Sequence, residues 1–167
     1  MINLARSKFL SLGVLVAGVG IGVGCGSLRQ NLRNEFLSYR GAWFCEAPGC
    51  AQKDMKQSKQ GHNEGDIRYN KGKLQPAAAL VFNPGTEATG VTAKVIDCKG
   101  ASIAVPASSV QAPGAHSLPA QGNSWVVMVD PSELSGIDTG CGKLEVEATA
   151  TFPKGTTHTQ PAGIEFN

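Results

Sequence analysis

Five cysteines carry the most reactive side chains of this sequence, and they stand at positions 25, 45, 50, 98 and 141. Their spacing does not suit a zinc site, which uses close CxxC or HxxxH pairs that the chain lacks. Disulfide bonds are the other common use of such cysteines, but an odd number of thiols leaves one without a partner. One cysteine therefore needs a different chemistry.

Cys25 follows a segment with the features of a secretory leader. The start of the chain is basic, and the 20 residues from Phe9 to Leu28 include no charged residue. A short basic start, an apolar run and then small residues are typical of a signal peptide. The sequence Ile-Gly-Val-Gly-Cys at 21–25 resembles the lipobox of bacterial lipoproteins, although Gly22 stands where that motif usually has an aliphatic residue.

This resemblance implies that residues 1–24 are a cleaved signal peptide and that Cys25 carries a diacylglyceryl group and further acyl chains such as palmitate. It implies a bacterial cell envelope, and Gly26, in place of the aspartate typical of inner-membrane retention, implies the outer membrane. Two other interpretations stay open. About 20 uncharged residues can cross a bilayer as an uncleaved anchor, and ordinary signal cleavage would leave Cys25 unmodified.

If Cys25 carries lipid, four cysteines remain, and they allow three pairings. We predict the pairs Cys45–Cys50 and Cys98–Cys141. The Pro-Gly dipeptide at 48–49 can turn the chain between the first two. Cys98 ends one strand-like segment, and Cys141 opens another. In the chain-entropy model the disulfide that closes the shorter loop stabilises the fold by about 2 kcal/mol, and the one that closes the longer loop by about 4 kcal/mol.

The charge balance argues against nucleic acid as a partner. The chain has 15 Lys and Arg against 13 Asp and Glu. Two of the basic residues, Arg6 and Lys8, lie in the leader, so the mature chain is close to neutral. A neutral chain lacks the basic surface that binds phosphate backbones. It also lacks a polybasic membrane signal, so membrane attachment would rest on the acyl chains of Cys25.

The composition divides the chain into four segments. Residues 1–24 are the signal peptide, and residues 25–41 are the lipid anchor with a short amphipathic helix. The helix is predicted over Leu28 to Tyr39, where apolar residues recur at helical spacing. Residues 42–74 form a polar segment stapled by a disulfide, in which Trp43 and Phe44 cover the bridge. Residues 75–167 are the β core.

Short apolar or alternating runs in the β core predict six or seven strands, each bounded by turn residues. The clearest is Lys143 to Phe152, where apolar residues alternate with Glu and Thr. Pro161 interrupts the last run, which indicates either a sheet edge or a β-bulge. We predict a mainly all-β protein, an antiparallel β-sandwich that is Ig-like in architecture, with a short N-terminal helix. The resemblance to immunoglobulin domains is architectural only.

The sequence offers no persuasive catalytic constellation. His116 and Ser117 are adjacent in a loop, whereas His62 and His158 are far away in the chain. Glu145 and Glu147 fall on the polar side of an alternating strand, where carboxylates are usually solvated. We therefore expect no enzyme, no metal and no cofactor.

Three classes of function remain as hypotheses. The leading one is a non-catalytic envelope lipoprotein whose sandwich binds another envelope protein, as a protein-interaction or assembly module. The alternative is a periplasmic module for a small ligand or wall polymer, with Trp43, Tyr69 and Trp125 as candidate binding residues. The third is a hydrolase that uses His116 or His158.

Overall fold

The structure is a computed structural model that describes residues 34–45, 50–57, 67–69, 78–118, 122–130, 134–138, 140 and 142–166. The predicted signal peptide, Cys25 and Cys141 lie outside these residues, as does His62. The described strands are β1 (Leu37–Phe44), β2 (Lys56–Gln57), β3 (Ile67–Tyr69), β4 (Ala78–Pro84), β5 (Gly90–Asp97), β6 (Ser102–Ala104), β7 (Val110–Gln111), β8 (Trp125–Val129), β9 (Lys143–Thr151) and β10 (Thr157–Phe166). Short 3₁₀ helices span Gln52–Asp54 and Ala107–Ser109.

The strands form two five-stranded sheets. Sheet A has the order β2-β1-β4-β8-β7, and sheet B has the order β3-β10-β9-β5-β6. Neighbouring strands are antiparallel, except that β3 runs parallel to the end of β10. One core joins residues of both sheets, such as Phe82 and Val127 from sheet A with Val146 and Phe152 from sheet B. The predicted all-β class and the two packed sheets are confirmed.

The alternation of apolar and polar residues along β9 shows which face of sheet B is buried. Its even-numbered residues from Leu144 to Ala150 are buried, and the odd-numbered residues between them face outwards. Alternation arises because successive side chains of a strand point to opposite faces. β5 repeats the pattern, with Val91, Ala93 and Val95 buried. Sheet B therefore has one apolar face on the core and one polar face outside.

Sheet A differs because its central strand is covered on both faces. All seven residues of β4 are buried. Leu80 and Phe82 belong to the core between the sheets, while Ala79 and Val81 belong to a second cluster on the outer side of sheet A. The continuous apolar run at 78–82 is explained by this double cover.

The first strand corrects the predicted segment boundaries. The helix predicted up to Tyr39 is wrong at its end, because Leu37 to Tyr39 form the start of β1. The β core likewise begins before residue 75, since β1 pairs along its length with β4. Leu37 is buried in the core as part of β1. The apolar spacing that predicted a helix up to Tyr39 is therefore misleading at this end. Pairing with β4 overrides the local signal.

Gly85 provides a test of how β1 is held. Its backbone N–H donates a 2.9 Å hydrogen bond to the carbonyl of Phe36. A Cβ added at Gly85 would overlap the Phe36 ring and the Asn34 carbonyl, whereas a Cβ at Gly90 would meet nothing within 4 Å. We expect Gly85→Ala to lower the melting temperature and Gly90→Ala to leave it nearly unchanged. Equal melting temperatures for the two variants would contradict this packing.

Candidate functional site

A buried carboxylate organises the end of β5. Asp97 is 7% exposed, and its Oδ1 accepts hydrogen bonds of 2.9 Å from the backbone N–H groups of Lys99 and Ala101. Its Oδ2 accepts one of 3.0 Å from the N–H of Asp138. The first two bonds close the turn between β5 and β6, and the third ties this turn to the loop before β9. Asp97 therefore fixes two loops that meet at this end of sheet B.

An ion pair completes the cluster around Asp97. Lys99 Nζ lies 2.7 Å from Asp138 Oδ2, and Asp138 Oδ1 accepts a 2.9 Å bond from the N–H of Gly140. The bond from the Asp138 backbone is the main cause that lowers the pKa of Asp97, and burial works against it. The Lys99 ammonium lowers the pKa of Asp138, and Asp138 in turn raises that of Lys99.

The Asp97 cluster predicts a pH dependence with a definite sign. A carboxyl whose pKa is lower in the folded state stabilises the fold above its unfolded pKa, about 3.9 for Asp, and loses that contribution as the pH falls through the folded value. The two carboxyls here shift in that direction. We expect the urea midpoint to fall as the pH drops from about 5 to below 4, and Asp97→Asn to flatten that fall. Glu87→Gln, at an exposed carboxylate, is the control, and an equal flattening by it would refute the role of Asp97.

Cys98 follows Asp97 and is disulfide-bonded. Cys45 and Cys50 are bonded to each other, so the first predicted pair is confirmed. Cys141 lies outside the described residues, and the pair Cys98–Cys141 stays a prediction. Gly140, the residue before it, is held by the Asp97 cluster, which places the chain near Cys98 and agrees with that prediction.

A shallow hollow opens beside Cys98. Its volume is about 200 Å³, and it is lined by Ile96, Asp97, Cys98, Lys143 and Glu145. Asp97 uses both carboxylate oxygens within the protein. Lys143 and Glu145 sit two residues apart on one face of β9, so a cation and an anion border the same hollow. It could hold a small molecule that carries both charges.

The Cys45–Cys50 bridge belongs to the second apolar cluster, on the outer side of sheet A. Trp43, Cys45, Met55, Leu118 and Val126 are buried there. Trp43 shares this cluster with the bridge, and Phe44 is not part of it. Direct cover of the bridge by Trp43 stays a prediction. The segment at 50–57 thus seals a face of sheet A that would otherwise be open to water.

Gln52 fastens this segment to the rest of the sheet. Its Nε2 donates a 2.7 Å hydrogen bond to Gln111 Oε1 on β7 and lies 3.3 Å from the sulfur of Met128. Its Oε1 accepts a 3.0 Å bond from the N–H of Ser117. One amide therefore bridges three separate parts of the chain, a role that the sequence did not indicate.

The candidate binding residues are not brought together. Trp43 is 5% exposed and lies under the segment at 50–57. Trp125 packs on the core between the sheets, which is the opposite face of sheet A. Tyr69 lies in β3 of sheet B, and its side chain is outside the described part of the structure. The two tryptophans therefore do not line one pocket.

The histidines have structural partners. His116 Nε2 lies 3.0 Å from the carbonyl oxygen of Ser124, while the Ser124 hydroxyl donates to Asn83 Oδ1 at 3.4 Å. His116 Nδ1 is buried and has no hydrogen-bond partner among the described atoms. His158 Nδ1 accepts a 3.2 Å bond from the N–H of Leu37. Each of these histidines is engaged by backbone and not by a serine hydroxyl.

The outer face of sheet B carries five threonines, which we call the threonine face. They are Thr92 on β5, Thr149 and Thr151 on β9, and Thr157 and Thr159 on β10. Strand pairing sets Thr92 beside Thr149, Thr149 beside Thr159, and Thr151 beside Thr157. All are exposed except Thr149, which is half-buried and shares a 2.8 Å hydroxyl hydrogen bond with Thr159.

Below the threonines, the next row of sheet B carries a salt bridge. Lys94 Nζ and Glu147 Oε2 are 2.6 Å apart. The pair closes one side of the threonine face and leaves its centre without charge. The alternating pattern of β9 predicts that this side faces solvent, and only the alignment of three strands makes it one surface.

Comparison with protein-family models and with curated proteins found no match to this chain. Among the described residues, no group of three or more His, Cys, Asp or Glu side chains is placed to hold a metal ion. Over the same part of the chain, no helix has the length and apolar character needed to span a bilayer.

Proposed function

We propose that the protein is a non-catalytic cell-envelope lipoprotein whose β-sandwich acts as a protein-interaction or assembly module. The lipobox-like sequence at 21–25 supports the lipid on Cys25. Disulfide bonds persist in oxidising compartments such as the periplasm and the cell surface. The bond between Cys45 and Cys50 and the bonded state of Cys98 therefore support a location outside the cytoplasm. The lipobox-like sequence and Gly26 after it support the outer membrane of a bacterium.

The threonine face is the observation that carries the proposed interaction. Sheet A has an outer side sealed by the segment at 50–57, whereas the threonines of sheet B are exposed. β-Branched side chains in strands have restricted χ1 angles, so little rotamer entropy is lost when a partner binds them. Their hydroxyls can both donate and accept hydrogen bonds. A flat protein surface with complementary polar groups suits such a face.

We also propose an Ig-like architecture, supported by the strand order. In an Ig constant domain the sheets are ABED and CFG. The order β1-β4-β8-β7 matches A-B-E-D, and β10-β9-β5 matches G-F-C, with β6 as an added strand beyond C. The usual disulfide between strands B and F has no counterpart, since β4 and β9 contain no cysteine. We further propose a short N-terminal helix before β1, supported by the helical spacing of Leu28, Leu32 and Phe36 in the sequence.

The interaction is tested by photo-crosslinking in cells that produce the full-length chain. A photoreactive amino acid at Thr92, on the threonine face, is expected to give a discrete adduct. The same group at exposed Ser108 is expected to give little. Thr159→Lys should reduce the adduct because it adds a charge beside Thr149, while Ser108→Lys should not. Equal adducts at both positions, or no effect of Thr159→Lys, would contradict the proposed surface.

A ligand-binding module is the second candidate, and the hollow beside Cys98 favours it. Lys143 and Glu145 offer opposite charges at its border. A zwitterionic dipeptide is a suitable probe, with its acetylated and amidated form as the control. Saturable binding of the free dipeptide alone, abolished by Lys143→Gln, would favour this class. Failure to bind at millimolar concentration would dismiss it.

A further inference from the structure

The sandwich has two distinct ends, and the N-terminal residues attach to one of them. At this end, called the leader end, the hydrogen bond from Gly85 to the Phe36 carbonyl fixes the start of β1. The hydroxyl of Thr156, in the turn between β9 and β10, donates to Glu35 Oε2. The leader end therefore consists of residues 34–37 with the loops at 85–89 and 152–156.

Both cysteine bridges lie at the opposite end, called the disulfide end. Cys45 directly follows β1, which starts at the leader end and runs away from it. Cys98 directly follows β5, which starts opposite Thr151 and ends opposite Leu144. A nine-residue strand such as β9 is about 30 Å long at 3.3 Å per residue. The bridges are thus separated from the leader end by about the full length of the sandwich.

We infer that the leader end faces the lipid surface and that the disulfide end points away from the membrane. This inference rests on the proposed lipidation of Cys25. Residues 26–36 would then be the whole connection between lipid and β1, and eleven residues span at most about 40 Å. The connection leaves from the leader end, so the anchor pulls on this end, and contact of this end with lipid would carry the hollow beside Cys98 outwards.

Phe36 is an independent observation that points to the same orientation. Among the described residues it is the one large hydrophobic side chain that is exposed to solvent, at 38%. It lies at the leader end, directly before β1. Phenylalanine is among the apolar side chains that segments lying at a membrane surface bury in the boundary between headgroups and acyl chains. Contact with lipid would remove the exposed part of this ring from water.

Energy transfer from the protein to the bilayer tests the orientation. The lipidated full-length chain is placed in phosphatidylcholine vesicles that contain a headgroup-labelled acceptor lipid. A clickable amino acid carries the donor dye at Lys154, in a leader-end loop, or at Lys143, which borders the hollow beside Cys98. Both lysines are exposed, so the two labelled chains are matched. We expect the larger loss of donor emission at position 154, and Phe36→Ala to reduce the difference.

Equal losses, or a larger loss at position 143, would overturn the orientation. Flotation of the vesicles on a density gradient separates this failure from that of the proposed function. If the chain does not float with the vesicles, the lipid anchor itself is refuted, and the orientation is refuted with it. If the chain floats but transfer is equal at both positions, the anchor stands and only the orientation is wrong.

Discussion

Replacing Cys98 with serine is expected to lower the free energy of unfolding by about 4 kcal/mol, the chain-entropy value for a loop of about 44 residues closed to Cys141. Cys98 is exposed, so serine leaves no cavity and the loss reports on the bridge itself. The same model gives about 2 kcal/mol for the loop between Cys45 and Cys50. The larger loss should therefore come from Cys98, although its side chain is the more exposed one.

Equilibrium unfolding in guanidinium chloride measures both losses, with Cys50→Ser as the comparison variant. Peptide mapping without reduction identifies the partner of Cys98 in the same preparation. A loss at Cys98 no larger than that at Cys50 would contradict the long loop. A peptide that joins Cys98 to Cys25 would contradict both the predicted pairing and the lipid on Cys25.

Phe82→Ala is expected to cost about 3–5 kcal/mol, the usual range for a buried phenylalanine. Phe82 is 0% exposed, and its ring lies 5.6 Å from that of Tyr39 on the neighbouring strand. It is paired in register with Tyr39 on one side and Trp125 on the other. Truncation leaves a cavity at the centre of sheet A, where three strands limit how far the core can collapse.

The matched control for Phe82 is Phe36→Ala, which removes the same side chain from a partly exposed position. Urea unfolding monitored by tryptophan fluorescence gives the midpoint for each variant. We expect a much larger drop for Phe82→Ala, with an unchanged far-UV spectrum at low denaturant. Equal drops would mean that Phe82 is not in the centre of the core.

The strands that could be predicted from the sequence are those in which the pattern of apolar residues matches the faces of the strand that are buried. In β9 apolar and polar residues alternate because one face of the strand is buried. In β4 the apolar residues are consecutive because both faces are buried. Pro161 indicated an edge in β10, and there β3 pairs only with the residues after it, from Ile164 onwards. The pair Cys45–Cys50 followed from the turn residues between the two cysteines.

The parts that could not be predicted depend on contacts between distant residues. β1 has a weak strand pattern, because a register shift near Gly41 interrupts its alternation, and it is held by β4. β2 and β7 are only two residues long. Gln52 has no distinctive sequence context, and its role depends on contacts of its amide with three distant segments of the chain. Asp97 has a local signal, since aspartate at the first position and glycine at the fourth, here Gly100, favour a β-turn, but its bond to Asp138 spans 41 residues.

The proposed function depends most on the chemistry of Cys25, which intact mass spectrometry reads directly. The full-length chain is produced in a diderm bacterium, extracted from membranes with detergent and weighed without reduction. We predict the mass of residues 25–167 plus acyl chains, less four hydrogens for two disulfides. An unmodified chain that still begins at Met1, or a soluble chain without acyl groups, would contradict the account.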